Sequence, residues 1–398
     1  VSHDPSLESS PRRALFPLRP LLFLAAIFFL NFIARIILAP LMPAIEENLS
    51  FGHGEAGSLF LLISMGYFIA LVGSGFISRP LNHRRTIILS AAAVGLGLLG
   101  IASSTSLWGI RIGLFLMGLA AGIYLPSGIA TLTSLTASRH WGKAIAIHEI
   151  APNLSFVVAP LICEILLVWF SWRGVLALLG IGSLAAGAAF FRFGLGGAFP
   201  GQTPSFRAFR GLFADPSFWI MTVLFSLGIA GSLGVYTMLP LYLVAGQGME
   251  RGMANTLIAL SRIPGLGMAF MAGWASDRLG VIITLAAVLF LTGLLTLLLG
   301  FLPGQWMVLA VFLQPVMAVC FFPPAFAALS SIGPPEARNV AVSLTVPAAF
   351  ILGGGAVPTG IGIMGDRGFF AQGMALVGAI ILLGSLLALC LKLAKRPS

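Results

Sequence analysis

Charge is what this sequence has least of. Asp and Glu together number 12 in 398 residues, and the four charged types make up 9% of the chain. A soluble domain carries about 25%, so an ordinary water-facing surface is excluded. Cysteine is scarce too: Cys163, Cys320 and Cys390 are the only three, and each lies in an apolar run. That spacing excludes a disulfide framework or a cysteine metal site, and the three read as small core residues. Also missing are a G-x-x-x-x-G-K-[ST] nucleotide loop, a Cys/His metal spacing and a Ser/His/Asp grouping outside apolar runs. The expectation is a protein that is not an enzyme, carries no cofactor and does not run on ATP. No signal peptide is evident, because the first apolar run is followed by others of its kind.

What the chain does have is apolar length: 58% of its residues are hydrophobic. Twelve runs can be drawn, at 20–44, 56–78, 86–104, 107–136, 142–168, 173–192, 216–245, 253–275, 281–301, 306–330, 338–364 and 369–391. Each suffices to cross a hydrocarbon core of about 30 Å, which takes about 20 helical residues. The expected fold is an all-α membrane protein with twelve transmembrane helices. The net charge of +10 does not indicate nucleic acid, since the basic residues cluster in short loops, as orientation signals do. With the N-terminus inside, inner segments hold sixteen Lys and Arg, and outer segments hold only Arg173, Arg251 and Arg367. That asymmetry places both termini in the cytoplasm.

The longest interior connection, 194–215, divides the runs six and six. The expected organisation is a cytoplasmic tail at 1–19, a six-helix bundle at 20–193, a linker at 194–215, a second bundle at 216–391 and a tail at 392–398.

The two halves repeat one motif. The turn after the second run reads Gly75-Phe-Ile-Ser-Arg-Pro-Leu-Asn-His-Arg-Arg85, and the turn after the eighth reads Gly273-Trp-Ala-Ser-Asp-Arg-Leu-Gly280. Gly273, Asp277, Arg278 and Gly280 resemble the G-x-x-x-D-R-x-G loop signature of the major facilitator superfamily of transporters. The first Gly permits close packing, the Asp can accept from backbone N–H groups at a helix start, and the last Gly permits a positive φ. In the first copy Gly75, Arg84 and Arg85 are kept, Arg79 stands in place of the acid, and Asn82 takes the turn position, where it tolerates positive φ. A finer resemblance, to the organic-anion (anion:cation symporter) branch, rests on Arg35, Pro40, Pro43, Ala56-Gly57, Tyr67 and Gly75. That branch carries an Asp-Arg pair on the first helix and a Tyr on the second at its substrate site, and here Ala34 replaces the Asp. Trp172-Arg173 is similar to the superfamily at the sixth helix. The resemblance implies two bundles that rock about a midplane site.

Arg35 is the residue around which the rest is arranged. A central intramembrane arginine costs roughly 2.5–3.5 kcal/mol on insertion scales, and spanning lipid does not require one. By helical rise it lies roughly 24 Å from the inner face, and Arg262 roughly 22 Å. Asn31 lies one turn from Arg35, and Asn255 two turns from Arg262, so each pair shares a helix face. Tyr67 and Tyr124 fall in mid-run. These six are the expected substrate site, with the arginines binding a carboxylate by charge-assisted hydrogen bonds. The competing reading is that each arginine is satisfied by carbonyls or a neighbouring acid. Arg111, a few residues from the outer end of its run, reads as snorkelling to the interface or bracing a helix. Glu149, with His148 as relay, is the expected proton-coupling site, because a desolvated carboxyl picks up a proton. The alternative there is an ion pair with a residue such as Arg139. Glu164 is read as reaching water at the outer end.

The function expected is secondary transport of a small organic anion, coupled to protons, by a monomer in a bacterial inner membrane. Its partners are then the anion, protons and the lipid bilayer. Two alternatives stay open: an exporter of amphipathic compounds or drugs, given 31 Phe, and a membrane sensor that moves nothing.

Overall fold

The computed structural model describes residues 17–202, 213–332 and 338–391. Most of the expected tails, and the middle of the 194–215 linker, lie outside the described residues. Among those described, every regular element is helical, and eleven helices are long and apolar enough to cross a membrane. They are α1 (Leu18–Leu49), a double helix-length rod (His53–Ser103), α4 (Leu107–Ser134), α5 (Ser138–Leu167), α6 (Trp172–Phe193), α7 (Pro216–Gly246), α8 (Arg251–Leu279), α9 (Val281–Leu299), α10 (Gly304–Leu329), α11 (Ala341–Asp366) and α12 (Phe370–Ala388).

The His53–Ser103 rod is two helices, α2 (53–81) and α3 (83–103), meeting at Asn82, whose backbone is non-helical at φ 67, ψ 164. Small-residue packing shows that the chain reverses there. Gly118 and Gly122 of α4 lie on Ile63 and Tyr67 of α2, whereas Gly113 and Met117 lie on Ile101 and Gly97 of α3. Advancing along α4 thus means advancing along α2 and retreating along α3. Counting the rod as two antiparallel helices gives twelve long apolar helices among the described residues. Gly280, between α8 and α9, has φ 92, ψ 150, nearly the backbone of Asn82 at the equivalent place. Few residues other than Gly tolerate this region. Asn82 is held in it by its own bonds: its Oδ1 accepts from Arg85 N at 3.0 Å, and its carbonyl from Thr86 Oγ1 at 2.8 Å.

Proline marks the interruptions. Each removes an N–H and presses on the carbonyl four residues back. Accordingly α1 breaks at Ile37 before Pro40, α4 at Ile123 before Pro126, and α10 at Cys320–Phe321 before Pro323 and Pro324. In α7 and α11 the helix widens instead, at Ala230–Gly234 and Leu352–Ala356. The Gly353–Gly355 run serves packing: Gly353 lies on the backbone of α7 at Ser226, and Gly355 on Leu61 and Ser64 of α2. Residues 194–202 dock back onto the α2–α3 turn, where Phe199, Gly197 and Ser78 carbonyls accept from His83, Arg84 and Gly201 N at 3.2, 2.8 and 3.0 Å.

Candidate functional site: a buried arginine and a closed end

Arg35 closes the first segment of α1, two residues before the break, and is 7% exposed. Its guanidinium carbon lies 4.2 Å from the Tyr67 ring centroid, 4.7 Å from Phe32 and 5.9 Å from Phe350. Aromatic faces attract a cation, by about 2 kcal/mol or more when desolvated. Among the described residues no carboxylate lies within ion-pair distance of Arg35, and its Nε has no hydrogen-bond partner. A cavity of about 20 Å³ adjoins it, lined from the first six helices by Phe60, Ile63, Ser64 and Tyr67 and from the last six by Leu233, Thr237, Phe350 and Gly354. That is room for about one water molecule.

Arg262, at the break of α8, is half-buried. It lies 4.6 Å from the Phe156 ring and 4.9 Å from Tyr236, and its Nη2 donates to Ser232 O at 2.8 Å. That carbonyl belongs to the widened turn of α7. Tyr236 Oη is buried with no partner. The expectation that both arginines meet in one chamber is not what this conformation holds. Leu233 and Thr237 of α7 line the Arg35 cavity, while Ser232 and Tyr236 face Arg262. The two cations flank one stretch of α7 and are joined through the Phe32–Phe156 ring contact at 5.3 Å.

Three other expected site residues lie elsewhere. Asn31 Nδ2 donates to Ala121 O at 3.2 Å and Ser90 Oγ at 3.4 Å, inside the first bundle of helices, because it points to α3 and α4 rather than to α2. Tyr124 Oη donates to Leu24 O at 2.7 Å and lies 3.1 Å from His148 Nε2, so it belongs with the coupling pair. Asn255 Nδ2 donates to Glu164 Oε1 at 2.6 Å and to Pro40 O at 3.3 Å, two turns beyond Arg262.

The coupling pair also differs from expectation. His148 is fully buried, but the Glu149 side chain is 48% exposed, so its carboxyl is not desolvated. His148 Nδ1 lies 3.4 Å from Glu149 Oε1. Glu164 pairs with Arg251 Nε at 3.2 Å instead of simply meeting water. Arg111 braces Glu55 at 2.9 Å. Among the signature residues, Gly280 has its positive φ, whereas Asp277 and Arg278 are exposed. Among the described residues no backbone N–H donates to Asp277, as the turn there lies open. Arg84 donates to Phe191 O at 3.0 Å.

One cluster was not anticipated from the sequence. At the end opposite Asn82 and Gly280, Asp366, the last residue of α11, accepts from His53 N at 2.6 Å and Gly54 N at 2.9 Å, capping α2. His53 Nδ1 lies 2.6 Å from Glu46 Oε1. The Asp366 cap, with the Glu164 contacts to Arg251 and Asn255, ties the first six helices to the last six and closes that end, while the Glu46–His53 pair joins α1 to α2 beside it. Nearby, Glu250 accepts from Gly252 N and Met253 N, both at 2.8 Å, and these donors hold its carboxyl below the usual glutamate range.

Comparison with known proteins places this geometry among transporters. Residues 24–358 match the family model described as Major Facilitator Superfamily. The chain is 28% identical over 158 residues to the inner membrane metabolite transport protein YdjE of Escherichia coli strain K12, spanning 40% of this chain and 34% of that one. It is 25% identical over 278 residues to a chloramphenicol resistance protein of Pseudomonas aeruginosa, spanning 62% and 63%. The matches thus span from about a third to just under two thirds of the length of these relatives. A bacterial homolog to the human lysosomal transporter Spinster, solved in an inward-facing and occupied conformation, superposes with TM-score 0.80 at 14% identity, over 96% of this chain and 97% of that one. A D-xylose-proton symporter superposes at 0.75 and 14% identity, over 94% and 98%. At such identity the likeness is one of fold.

Proposed function

This chain belongs to the Major Facilitator Superfamily, and from that premise we propose that it carries a small organic anion, most simply a carboxylate, across a bacterial inner membrane together with protons. The observation that carries the reading is Arg35: a buried cation that has no acid partner among the described residues and an unpartnered Nε, between the two halves of the molecule. Its charge is faced by the rings of Tyr67, Phe32 and Phe350. An anion at the guanidinium would replace that diffuse attraction with charge-assisted hydrogen bonds. Tyr67, from α2, and Arg262 with Tyr236, from α8 and α7, are the further contacts of the proposed site. The cavity holds about one water, so loading requires the halves to rock apart, as alternating access between two bundles at 20–193 and 216–391 provides. In the proposed topology both termini and the 194–215 linker are cytoplasmic, the closed end is outside, and the protein acts as a monomer.

Glu149 is the proposed proton-coupling residue, its carboxylate lying 3.4 Å from Nδ1 of the buried His148. A charged Glu149 opposes an anion at Arg35, and a protonated one does not. Anion and proton then bind together, and anion affinity rises as pH falls.

The aromatic lining of the cavity favours a second reading, export of amphipathic neutral compounds, in keeping with the chloramphenicol resistance relative. A thermal-shift screen of purified protein separates the two. Stabilisation by carboxylates and not by neutral amphipaths is expected, and the reverse pattern would overturn the anion assignment. Uptake into proteoliposomes distinguishes either from a sensor.

A further inference from the structure

Tyr124, His148 and Glu149 form a chain whose hydrogen-bond directions can be assigned. Tyr124 has one hydroxyl hydrogen. Its 2.7 Å contact with the Leu24 carbonyl, which can only accept, takes that hydrogen. The 3.1 Å contact between Tyr124 Oη and His148 Nε2 must therefore run the other way, with Nε2–H donating. Turning the ring over would keep its stack on Phe28, at 4.2 Å and 9°, but would put ring carbons opposite Tyr124 Oη and Glu149 Oε1 and lose both contacts. In a neutral imidazole with Nε2 protonated, Nδ1 carries only a lone pair. Nδ1 faces Glu149 Oε1 at 3.4 Å, also an acceptor when ionised.

We infer that Tyr124 locks His148 as the Nε2–H form, so that the closed conformation holds one exchangeable proton between His148 Nδ1 and the Glu149 carboxylate. Without that proton two acceptors face each other beside a ring no water reaches. With it, the pair is either imidazolium and carboxylate or neutral imidazole and carboxylic acid, and both satisfy every atom of the chain. Glu149 is the exposed end, through which the proton exchanges, and Tyr124 the buried end, which makes it a positioning residue for the proton. The groups facing His148 from the packed helices are Leu24 and Phe28 of α1, which do not titrate, and Tyr124 of α4. On α5 itself only Glu149 faces it. Arg35 and Arg262 are engaged by Phe32, Tyr67, Phe156 and Tyr236 instead, and Lys143 lies five residues before His148 on α5. Only the consequence for transport rests on the coupling reading given above: opening the halves is then linked to losing the proton.

The test is histidine-selective ¹⁵N NMR of the full chain in lipid nanodiscs, with His148→Asn used for assignment. The expected result is an Nε2–H tautomer for neutral His148 at high pH, and a proton shared at Nδ1 when pH is lowered. Tyr124→Phe keeps the ring stack and removes only the hydroxyl. It should convert the neutral form to Nδ1–H, donating to Glu149, a change that a merely structural role would not produce. In Glu149→Gln the side-chain amide can donate to Nδ1, so the neutral Nε2–H form should persist and the shared proton be lost at the same pH. A neutral wild-type Nδ1–H tautomer, or a shared-proton signal surviving in Glu149→Gln, would overturn the inference. Proton-driven uptake by Glu149→Gln at the wild-type rate, with the tautomers as expected, would instead remove the coupling reading and leave the proton site standing.

Discussion

Replacing Asp366 by Ala removes the carboxylate that caps α2 from across the molecule. Two backbone N–H groups, of His53 and Gly54, then lose their acceptor. Hydrogen bonds to a charged group contribute about 1.5–3 kcal/mol each. Asp366 is exposed, and in the open state both carboxylate and N–H groups return to water, so about 1 kcal/mol per bond is the appropriate net figure. The closed state should lose about 2 kcal/mol relative to the open one, a shift of roughly 30-fold in their ratio. The assay is pulsed electron resonance between spin labels at Glu47→Cys and Met253→Cys, exposed positions on α1 and α8 at the closed end. In proteoliposomes the Asp366→Ala distance distribution should gain a long component that wild type lacks, with Asp366→Asn intermediate. A distribution identical to wild type would show that the cap does not hold this end, and the reasoning would fail.

Gly57→Ala acts on the same equilibrium sterically, since its Cβ would run into the Pro358 carbonyl of α11. The same label pair should lengthen while each half stays folded, and unchanged distances would contradict close α2–α11 packing as the closing contact. Asn82→Ala should lower the melting temperature by roughly 1–2 °C, because it gives up the cap on Arg85 N, worth about 1 kcal/mol. Asn82→Gly should melt near wild type, since relief of the positive φ offsets the lost cap. Equal melting of the Ala and Gly variants would show that backbone conformation at residue 82 is not what constrains the turn.

Much of the architecture was legible because lipid leaves few choices. Apolar runs of spanning length, basic clusters between them and a repeated Gly-to-turn spacing all have local causes. Asn82 and Gly280 could be matched by position alone, and their backbone angles agree. Arg111 could be read as snorkelling or bracing because it lies near the outer end of its run, and its pair with Glu55 decides for the brace. Depth and face were half legible. Asn255 and Arg262 do share a face of α8, as their spacing requires, and both meet α5. Two turns of rise nevertheless put Asn255 on Glu164 at the closed end and Arg262 on Phe156 further in. Asn31 and Arg35 diverge because α1 is packed on three sides, and spacing does not say which neighbour each residue meets. The Asp366 cap had no local signal at all: its partners are more than three hundred residues away, and a terminal Asp in an Asp-Arg-Gly turn looks like any other loop. The direction of the Tyr124 hydroxyl, likewise, depends on a carbonyl that no sequence pattern marks.

The account depends most on Arg35 acting as the anion's ligand. With the carboxylate that stabilises wild type best in the screen, calorimetric titration of Arg35→Gln measures this directly. Loss of a charge-assisted bond worth about 1.5–3 kcal/mol predicts affinity weaker by roughly 10- to 150-fold. A carboxylate affinity equal to wild type in a folded Arg35→Gln protein would contradict the claim.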